Sequence, residues 1–546
     1  MKKKMRNACI CALAVMMLSS SMVGCKSKNA ETEGEKGTVK VSGVNEFPIT
    51  EEKTTLSVFC TKPTGLENHD TNTFTNWYEE KTNVHIDWNL VTGDERQAIN
   101  LMLASDDYSD IFYGFGFARS EQQAYYDQGV FTDMSSYIDK HAYYIKEMLN
   151  SDPTFEKKLR FYDDMILGIP TMIQDFSGQQ PYKMWVYKPW MEKLNLKAPT
   201  TTDEFYNMLK AFKEKDPNGN GKADEVPLAA RNNRGGEIGL DMYLMNAFCT
   251  WGKYGFYNDN GKAVFAPITE DAKEGMLYMR KLYQEGLIHP DSFVMDRSRV
   301  TSLCENDTPI VGAATGRWTT QFTAAGSSNR MNEYVAIPPL KGPKGVQQTL
   351  NATNDPALTS FSITSSCENP AVAVKWIDWF YSLDGYLAAK ANEGTRRAKE
   401  GEIGFDGEQA ILAIDKVEDA ATFGMVQNER WLDSALGFLP VETSIKTKDY
   451  TADAPRQQNA YEAYKLYEPF AVKDKVIIDF PMTSSEAKEY LELRSTITAA
   501  IDSGLVGFVI GEKSIENDWD AYVQNFYDLG LKRYTEIVQK YLDSLQ

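Results

Sequence analysis

The sequence TLSVF at residues 55–59 opens the run that decides the fold class. A helical pattern follows at 73–81, a second apolar strand at 84–88, another helix at 96–105, and a third strand at 108–113. Strands that alternate with helices indicate βαβ units, in which each helix carries the chain back and the strands lie parallel. We therefore predict an α/β fold built on a parallel sheet.

The chain is too long for a single hydrophobic core, because one core stops growing beyond about 250–300 residues. A new segment begins with the strand MWVYK at residues 184–188, and further helices are predicted at 204–215, 271–285, 370–382, 484–502 and 518–543. The length therefore predicts two or three lobes.

The N-terminus has the pattern of a secretory signal. Lys2, Lys3, Lys4 and Arg6 precede an apolar stretch at 8–18, which is too short to span a membrane. The stretch ends in MVGC at residues 22–25, which resembles a bacterial lipobox, although ordinary secretion with a chance cysteine gives the same pattern. We predict a signal peptide at 1–24 and lipid modification of Cys25. A polar, disordered tether at 25–50 would hold the protein at the outer face of the cytoplasmic membrane.

The charge excludes one class of partner. The formal net charge is −19, and loss of the four cationic residues of the signal makes it about −23. Such a chain is not expected to bind nucleic acid. No stretch after residue 50 is predicted to cross a bilayer, and the dispersed cysteines 60, 249, 304 and 367 are predicted to be buried free thiols.

The sequence DPNGNGKADE at residues 216–225 has the spacing of a calcium-binding loop. Oxygen-bearing side chains stand at loop positions 1, 3, 5 and 9, and glycine stands at position 6, where the backbone must turn sharply. Pro227 replaces the usual glutamate of position 12, so Glu225 is the expected substitute. A solvated turn is the alternative. The predicted structural Ca²⁺ ligands are Asp216, Asn218, Asn220, the Lys222 carbonyl, Asp224 and Glu225.

Recognisable catalytic motifs are absent from the sequence. The four histidines lack zinc spacing, and there is no GxSxG, P-loop or strand-linked GxGxxG motif. Aromatic residues are abundant, with 10 Trp, 29 Tyr and 26 Phe. Sugars present apolar C–H faces that lie flat on aromatic rings, so this composition suits a carbohydrate-binding cleft. Core packing is the alternative for any single aromatic residue.

With these motifs together, the chain resembles the family 1 extracellular solute-binding proteins of bacterial ABC importers, particularly the lipid-anchored oligosaccharide binders. The likeness covers nearly all of residues 50–546. In alginate-type members a loop like 216–225 holds Ca²⁺. The other matching segments are DYSDI at 107–111, WVYKPWMEKL at 185–194, TTTDEF at 200–205, YVAIPPLKGP at 334–343, and residues 512–522.

The resemblance implies a periplasmic-binding-protein-like fold of type II, with two α/β lobes, a hinge that the chain crosses more than once, and a ligand between the lobes. The first lobe would comprise residues 51–172 with 345–400, and the second would comprise residues 173–344 with 401–546. It implies no catalysis, and it implies that closure on the ligand presents a surface to an ABC permease. In maltose-type members a Gly-x-Trp turn stacks on a sugar ring, and Trp318 follows Gly316 here. The predicted ligand contacts are Tyr113 and Phe115 in the first lobe, Trp185, Tyr243 and Trp251 in the second, and Arg317 and Trp318 in the turn. Asp355 and Trp431, next to Arg430, are added from polar and aromatic placement alone.

Two other functions fit the sequence. One is a surface glycoside hydrolase or polysaccharide lyase with a structural calcium ion, and the other is a sensory or adhesive lipoprotein that serves no importer. For the binding protein, a monomer and a neutral oligosaccharide are expected. An acidic ligand would require the basic residues Lys183, Lys188, Arg231, Arg234 and Arg317 to cluster at the cleft.

Overall fold

The computed structural model describes residues 37–544 except 38, 64, 153–154, 157–158, 162–163, 174–175, 237–238, 325–329, 352–358, 392–393, 416–425, 433–434, 441–444, 447–453, 478–479, 481 and 483. Its strands are β1 (Thr54–Thr61), β2 (Val84–Val91), β3 (Ile111–Phe117), β4 (Met172–Ile173), β5 (Met184–Tyr187), β6 (Phe256–Asp259), β7 (Lys262–Phe265), β8 (Ala313–Thr315), β9 (Tyr334–Ile337), β10 (Thr349–Leu350), β11 (Thr359–Ile363), β12 (Thr395–Arg397), β13 (Leu412–Ile414), β14 (Phe438–Leu439), β15 (Ile445–Lys446) and β16 (Ala471–Val472). Its α-helices are Thr73–Thr82, Glu95–Ser105, Arg119–Asp127, Ser135–His141, Tyr144–Asn150, Phe176–Gln179, Lys188–Lys193, Thr202–Glu214, Leu240–Leu244, Glu270–Gln284, Arg297–Cys304, Arg330–Glu333, Pro370–Asp378, Leu383–Gly385, Ala454–Tyr467, Ser484–Ile510, Ile515–Asp528 and Leu531–Ser544.

The first sheet confirms the predicted βαβ pattern. Its strand order is β11-β3-β1-β2, with β1 parallel to both β2 and β3 and with β11 antiparallel to β3. β3 begins at Ile111, three residues later than predicted. The residue before it, Asp110, accepts hydrogen bonds from the backbone N–H and the hydroxyl of Ser57, at 2.7 and 2.8 Å. Asp110 therefore ties the start of β3 to the middle of β1.

The second sheet places β5 between β8 and β9, and both pairings are antiparallel. An extended segment at 226–229 continues this layer. Val226 bridges Val311 and Ala229 bridges Ala314, both in parallel orientation. The carboxyl ends of this segment and of β8 therefore lie at the same edge of the layer.

The buried hydrophobic residues form two large cores, as the two-lobe prediction requires. One core contains residues from Ile49 to Met172 and again from Phe361 to Leu436, and the other contains residues 184–350 and 463–542. The chain therefore passes between the cores three times, at about 172–184, 350–361 and 438–463. The predicted boundaries at 345 and 400 are wrong, because Leu350 packs in the second core and Trp431 packs in the first.

The predicted tether at 25–50 is too long, because residues 39–50 are folded onto the first lobe. Ile49 is fully buried, and its N–H donates to Thr82 O at 2.9 Å. Lys375 Nζ donates to Gly43 O at 2.6 Å, and Val41 bridges Thr50. The polar composition of this stretch concealed Phe47 and Ile49, which pack with the first core.

The C-terminal helices differ from the prediction in two respects. The helix predicted at 484–502 continues to Ile510, and it is long and apolar enough by composition to cross a membrane, contrary to the expectation for this part of the chain. Its residues Ile497, Ile501, Leu505 and Phe508 are buried in the second core, which accounts for its apolar composition. The single helix predicted at 518–543 is two helices, separated at Gly530, whose φ of +96° no helical residue adopts.

The four cysteines Cys60, Cys249, Cys304 and Cys367 are free and buried, as predicted. Burial raises the pKa of the Cys60, Cys249 and Cys304 thiols to about 12. Each thiol therefore stays protonated at neutral pH and behaves as a small apolar core residue.

Candidate functional site

The crossing segments are held together by buried polar side chains. Gln180, in the first crossing, donates through Nε2 to Asn351 Oδ1 in the second crossing at 2.9 Å. Lys183 is fully buried, and its Nζ donates to the Gln180 carbonyl. Tyr467, which follows the third crossing, accepts a hydrogen bond from Met184 N at 3.0 Å. All three crossings therefore converge beside the start of β5.

The turn Gly316-Arg317-Trp318 lies at this junction, at the end of β8. Gly316 N donates to Lys183 O at 3.1 Å, and Trp185 Nε1 donates to Gly316 O at 2.7 Å. Gln321 Oε1 accepts hydrogen bonds from Arg317 N and Trp318 N. The backbone of the turn is thus fixed from both sides, while the Arg317 and Trp318 side chains are partly exposed.

Arg317 also reaches the first crossing. A β-carbon at position 178 would lie 2.8 Å from Arg317 Nη2, so the guanidinium packs directly against the backbone of Gly178. Of the predicted contacts, Arg317 and Trp318 are the two that the structure places at the junction of the lobes with part of the side chain accessible.

An aromatic group at the junction was missed by the sequence analysis. Phe176, in the first crossing, contacts Tyr461 and Tyr464 of the helix Ala454–Tyr467, with ring centroids 5.7 and 6.4 Å apart. Phe405 stacks on Tyr461 at 6.2 Å. Phe405 belongs to a segment flanked on both sides by residues of the first core, so this contact joins the two lobes. The tyrosines at i and i+3 were the available signal, since that spacing puts them on one helical face.

The predicted contacts of the first lobe are core residues. Tyr113, Phe115 and Trp431 are 2–3 % exposed. Tyr113 OH accepts the Leu436 N–H at 3.1 Å, Trp431 Nε1 donates to Thr75 Oγ1 at 2.8 Å, and Phe115 stacks on Phe59. Because their faces are covered and their polar atoms are bonded, the structure corrects their assignment as ligand contacts.

The predicted aromatic contacts of the second lobe are buried as well. Trp185, Tyr243 and Trp251 are at most 4 % exposed. Tyr243 OH donates to Pro338 O at 2.7 Å, and Trp251 Nε1 donates to Asp241 Oδ2 at 3.0 Å. Trp185 supports the turn through its bond to Gly316 rather than presenting its own ring. The structure therefore corrects the assignment of all three as ligand contacts.

Two predicted residues, Cys25 and Asp355, lie outside the described residues.

The basic residues considered for an acidic ligand do not form one cluster. Lys183 is bonded to Gln180 O, Lys188 pairs with Glu192 at 3.7 Å on the surface, and Arg234 is buried beside Asp241.

The loop at 216–225 follows the helix Thr202–Glu214, which Thr201 caps by accepting a hydrogen bond from Glu204 N at its Oγ1. The Asp216 carboxylate accepts backbone N–H groups of residues 219, 220 and 221 at 2.9–3.1 Å. Asn218 and Asn220 donate through Nδ2 to Asp224, and these bonds lower the pKa of the Asp224 carboxyl. The side chains of the loop thus turn toward a common centre.

Glu225 is the unusual member of the loop. Its Oε1 is buried without a hydrogen-bond partner, and burial, followed by the like charges of Asp224 and Asp216, raises the pKa of its carboxyl. In the described part of the chain no group of three or more His, Cys, Asp or Glu side chains is placed to hold a metal. A cation here would therefore rely on the carbonyl oxygens of Asn218, Asn220 and Lys222 in addition to carboxylates. The orphaned Glu225 oxygen and this oxygen-rich set fit Ca²⁺.

The two-lobe fold and its three crossing segments agree with the comparisons to known proteins. The chain belongs to the family of bacterial extracellular solute-binding proteins, whose family model matches residues 67–386. Membership in this family confirms the two-lobe α/β prediction. The family description also agrees with an extracytoplasmic protein.

The chain is similar along its full length to a characterised transporter component. It is 26 % identical to FusA, a fructooligosaccharide ABC transporter substrate-binding protein of Streptococcus pneumoniae, over 98 % of each chain. A solute-binding protein from Bifidobacterium longum infantis, described as associated with an ABC transporter and binding HMO, superimposes with a TM-score of 0.76 at 23 % identity, over 90 % of this chain and 99 % of that one. An EF-hand mutant of S. pneumoniae FusA in complex with fructo-nystose gives a TM-score of 0.71 at 20 % identity, over 90 % and 99 %. All three are described as binding proteins.

Proposed function

We propose that this protein captures an oligosaccharide between its two lobes and delivers it to the permease of an ABC importer. The observation that carries the proposal is the Gly316–Trp318 turn, whose aromatic and cationic side chains are partly exposed where three chain crossings meet. An indole face with adjacent polar groups is the surface that a sugar ring requires. The similarity to FusA, an oligosaccharide-binding relative, supports the same ligand class.

Capture follows from lobe closure. A ligand closes the protein only to the extent that it binds the closed state more tightly than the open state, so the useful contacts are those that join the lobes. In this structure Phe405 stacks on Tyr461, and the helix Ser484–Ile510 contacts the helix Arg119–Asp127 of the first lobe. These described residues therefore already join the lobes, and a saccharide held by Trp318 would add a bridge.

A thermal-shift screen of the mature protein with neutral and acidic oligosaccharides tests this function. A ligand at about one hundred times its Kd stabilises the folded state by about 2.7 kcal/mol, which is readily detected. We expect at least one oligosaccharide to raise Tm and to be recovered intact. Cleavage of the bound sugar would instead identify a hydrolase or lyase, and a screen without any shift would remove the carbohydrate assignment.

We also propose that Cys25 is lipid-modified and that it anchors the monomeric protein at the outer face of the cytoplasmic membrane. The lipobox-like MVGC sequence supports this modification. Cells fed an alkyne-bearing palmitate analogue should label the wild-type protein. The Cys25→Ala variant should be unlabelled and released to the medium, and equal labelling of both proteins would contradict the proposal.

We propose a structural Ca²⁺ at the 216–225 loop, where Asp216, Asn218, Asn220, the Lys222 carbonyl, Asp224 and Glu225 would hold it. The ion would neutralise the facing carboxylates and so stabilise the second lobe. Adding Ca²⁺ to EDTA-treated protein should raise Tm by several degrees, since about one hundred times Kd contributes about 2.7 kcal/mol.

The Glu225→Gln variant distinguishes stabilisation by Ca²⁺ bound in the loop from a general effect of the ion on Tm. It keeps the shape of the side chain but removes the charge, so the Tm increase with Ca²⁺ should be largely lost. Glu214→Gln is the matched control, because Glu214 lies at the end of the preceding helix, where it pairs with Lys210 at 3.8 Å on the surface. Equal Tm of the wild-type protein in Ca²⁺ and in EDTA would exclude a stabilising ion.

A further inference from the structure

Arg231 lies at the same edge of the second sheet as the Trp318 turn. Ala229 bridges Ala314 in parallel orientation, and Arg231 and Gly316 each follow this bridge by two residues at the same edge. Asn232 N donates to Met295 O at 2.9 Å, and Ala230 N donates to Ser292 Oγ at 3.2 Å. These bonds fix the backbone on both sides of Arg231.

Arg297 reaches this edge from the opposite side. It is the first residue of the helix Arg297–Cys304, and its Nη2 donates to Thr320 O at 2.8 Å, two residues beyond Trp318. Burial, followed by the charge of Arg297, lowers the pKa of Arg231, as expected for two guanidinium groups held close together.

The positive charge of Arg231 is not balanced by any carboxylate of the described residues. Its Nε is buried and has no hydrogen-bond partner in the part of the chain that the structure describes. Asp296 is adjacent to Arg297 in sequence, but its Oδ1 accepts hydrogen bonds from Arg299 N and Ser298 Oγ, both at 2.9 Å. Asp296 therefore caps its own helix.

We propose that Arg231 and Arg297 bind a carboxylate on the saccharide, so that the ligand is an oligosaccharide containing an acidic sugar. This inference rests on the proposed function and names the chemical class of its ligand. A guanidinium group binds a carboxylate through two parallel N–H···O bonds, and a second guanidinium strengthens the attraction. A carboxylate at this position would satisfy the buried Nε and relieve the repulsion between the two arginines.

The acidic net charge of the chain does not oppose this inference. Fixed dipoles and charges at the binding site decide affinity at contact distance, whereas charges beyond about 8–10 Å are screened at physiological salt. A neutral ligand is the expectation from the sequence because the mature chain is strongly negative, and an acidic ligand would require five particular basic residues to cluster at the cleft. The structure instead brings together Arg231 and Arg297, and Arg297 is not among those five.

Calorimetric titration of the full mature chain with matched acidic and neutral trisaccharides tests the inference. The acidic probes are the trimers of galacturonate, glucuronate and mannuronate, and the neutral probes are the trimers of galactose, glucose and mannose. We expect at least one acidic trimer to bind at least tenfold more tightly than its neutral counterpart in low salt. That advantage should fall as the salt concentration rises.

Substitutions then assign the effect to the two arginines. Arg231→Gln and Arg297→Gln should each weaken binding of the acidic trimer about 10- to 100-fold and weaken any binding of the neutral trimer by a much smaller factor. Arg299→Gln is the matched control, because Arg299 is an exposed arginine on the same helix. Arg231→Lys keeps the charge without the two-pronged geometry and should fall between the wild-type protein and Arg231→Gln.

The outcomes distinguish this inference from the proposed function. Neutral trimers that bind as tightly as all acidic ones would overturn the inference and leave oligosaccharide capture intact. Unchanged acidic binding in both glutamine variants would overturn it too. If neither these trimers nor any oligosaccharide of the thermal-shift screen binds, the proposed function itself fails.

Discussion

Replacing Trp318 by alanine is expected to weaken oligosaccharide binding roughly 30- to 150-fold while the ligand-free protein keeps its Tm. The indole is partly exposed at the junction of the lobes, so its removal deletes a stacking surface without emptying the core. Central aromatic contacts of this kind are typically worth about 2–3 kcal/mol of binding free energy, and each 1.4 kcal/mol is a factor of ten in Kd. Calorimetry with the oligosaccharide found in the thermal-shift screen measures the change.

Trp77→Ala is the matched control for Trp318. Trp77 is 44 % exposed, but it lies on a helix of the first lobe beside Trp379, far along the chain from the turn. Its loss should leave Kd unchanged. Should Trp318→Ala lower Tm by many degrees without ligand, or bind as tightly as the wild-type protein, Trp318 is a packing residue and the site lies elsewhere.

The Arg234→Met variant should lose about 3–5 kcal/mol of unfolding free energy. Arg234 and Asp241 are 7 % and 2 % exposed, with Nη1 3.8 Å from Oδ2, and Arg234 also contacts the Asp502 carboxylate of the long C-terminal helix. Asp241 accepts further hydrogen bonds from Gly235 N and Trp251 Nε1. Removing one partner leaves a buried charge uncompensated, which is typically more costly than the pair itself was favourable.

The pH dependence of this loss identifies its cause. Burial raises the pKa of the Asp241 carboxyl, and Arg234 opposes that rise. Without Arg234 the pKa rises further, so the folded variant holds a proton more tightly than the unfolded chain does. Folding of the variant is therefore favoured as the pH falls. The difference in unfolding free energy between the wild-type protein and Arg234→Met should shrink between pH 7 and pH 5.

Arg533→Met provides the contrast between a buried and an exposed arginine. Arg533 pairs with Glu489 at 2.8 Å, but both side chains are about 45 % exposed, and such pairs contribute about 0–1 kcal/mol. Urea unfolding of both variants gives the comparison. A similar small loss in each, or a loss for Arg234→Met that does not change with pH, would show that the buried pair does not stabilise the second lobe.

Local patterns predicted much of the fold because they depend on neighbouring residues. The alternation of strand and helix between Thr54 and Phe117 was evident from the periodicity of apolar residues. The ends of elements were less accessible. Gly530 divides a helix through its backbone conformation, and residues 39–50 fold because two apolar side chains in a polar stretch find the first core.

The site was harder to predict because it depends on which aromatic side chains are buried in the core and which remain accessible. Five other predicted ligand contacts are aromatic residues like Trp318, yet all of them are buried: Tyr113, Trp185, Tyr243, Trp251 and Trp431. They are buried because they lie in or beside elements that pack on both faces. No local sequence pattern shows which elements are covered on both faces. Arg297 and Tyr461 come to the junction from distant segments, so spacing along the chain gave no sign of them.

The folded segment at 39–50 bears on how the protein would find its permease. If Cys25 is acylated as proposed, about 14 residues separate the lipid from residue 39, and a chain of that length spans at most roughly 50 Å. The protein would then be confined to a thin layer above the bilayer and could not diffuse through the surrounding volume. Its encounters with a membrane-embedded partner would occur by lateral diffusion in two dimensions, at a local concentration independent of the surrounding medium. A longer segment between Cys25 and residue 39 would lower the local concentration of the protein near the membrane without altering its affinity for sugar.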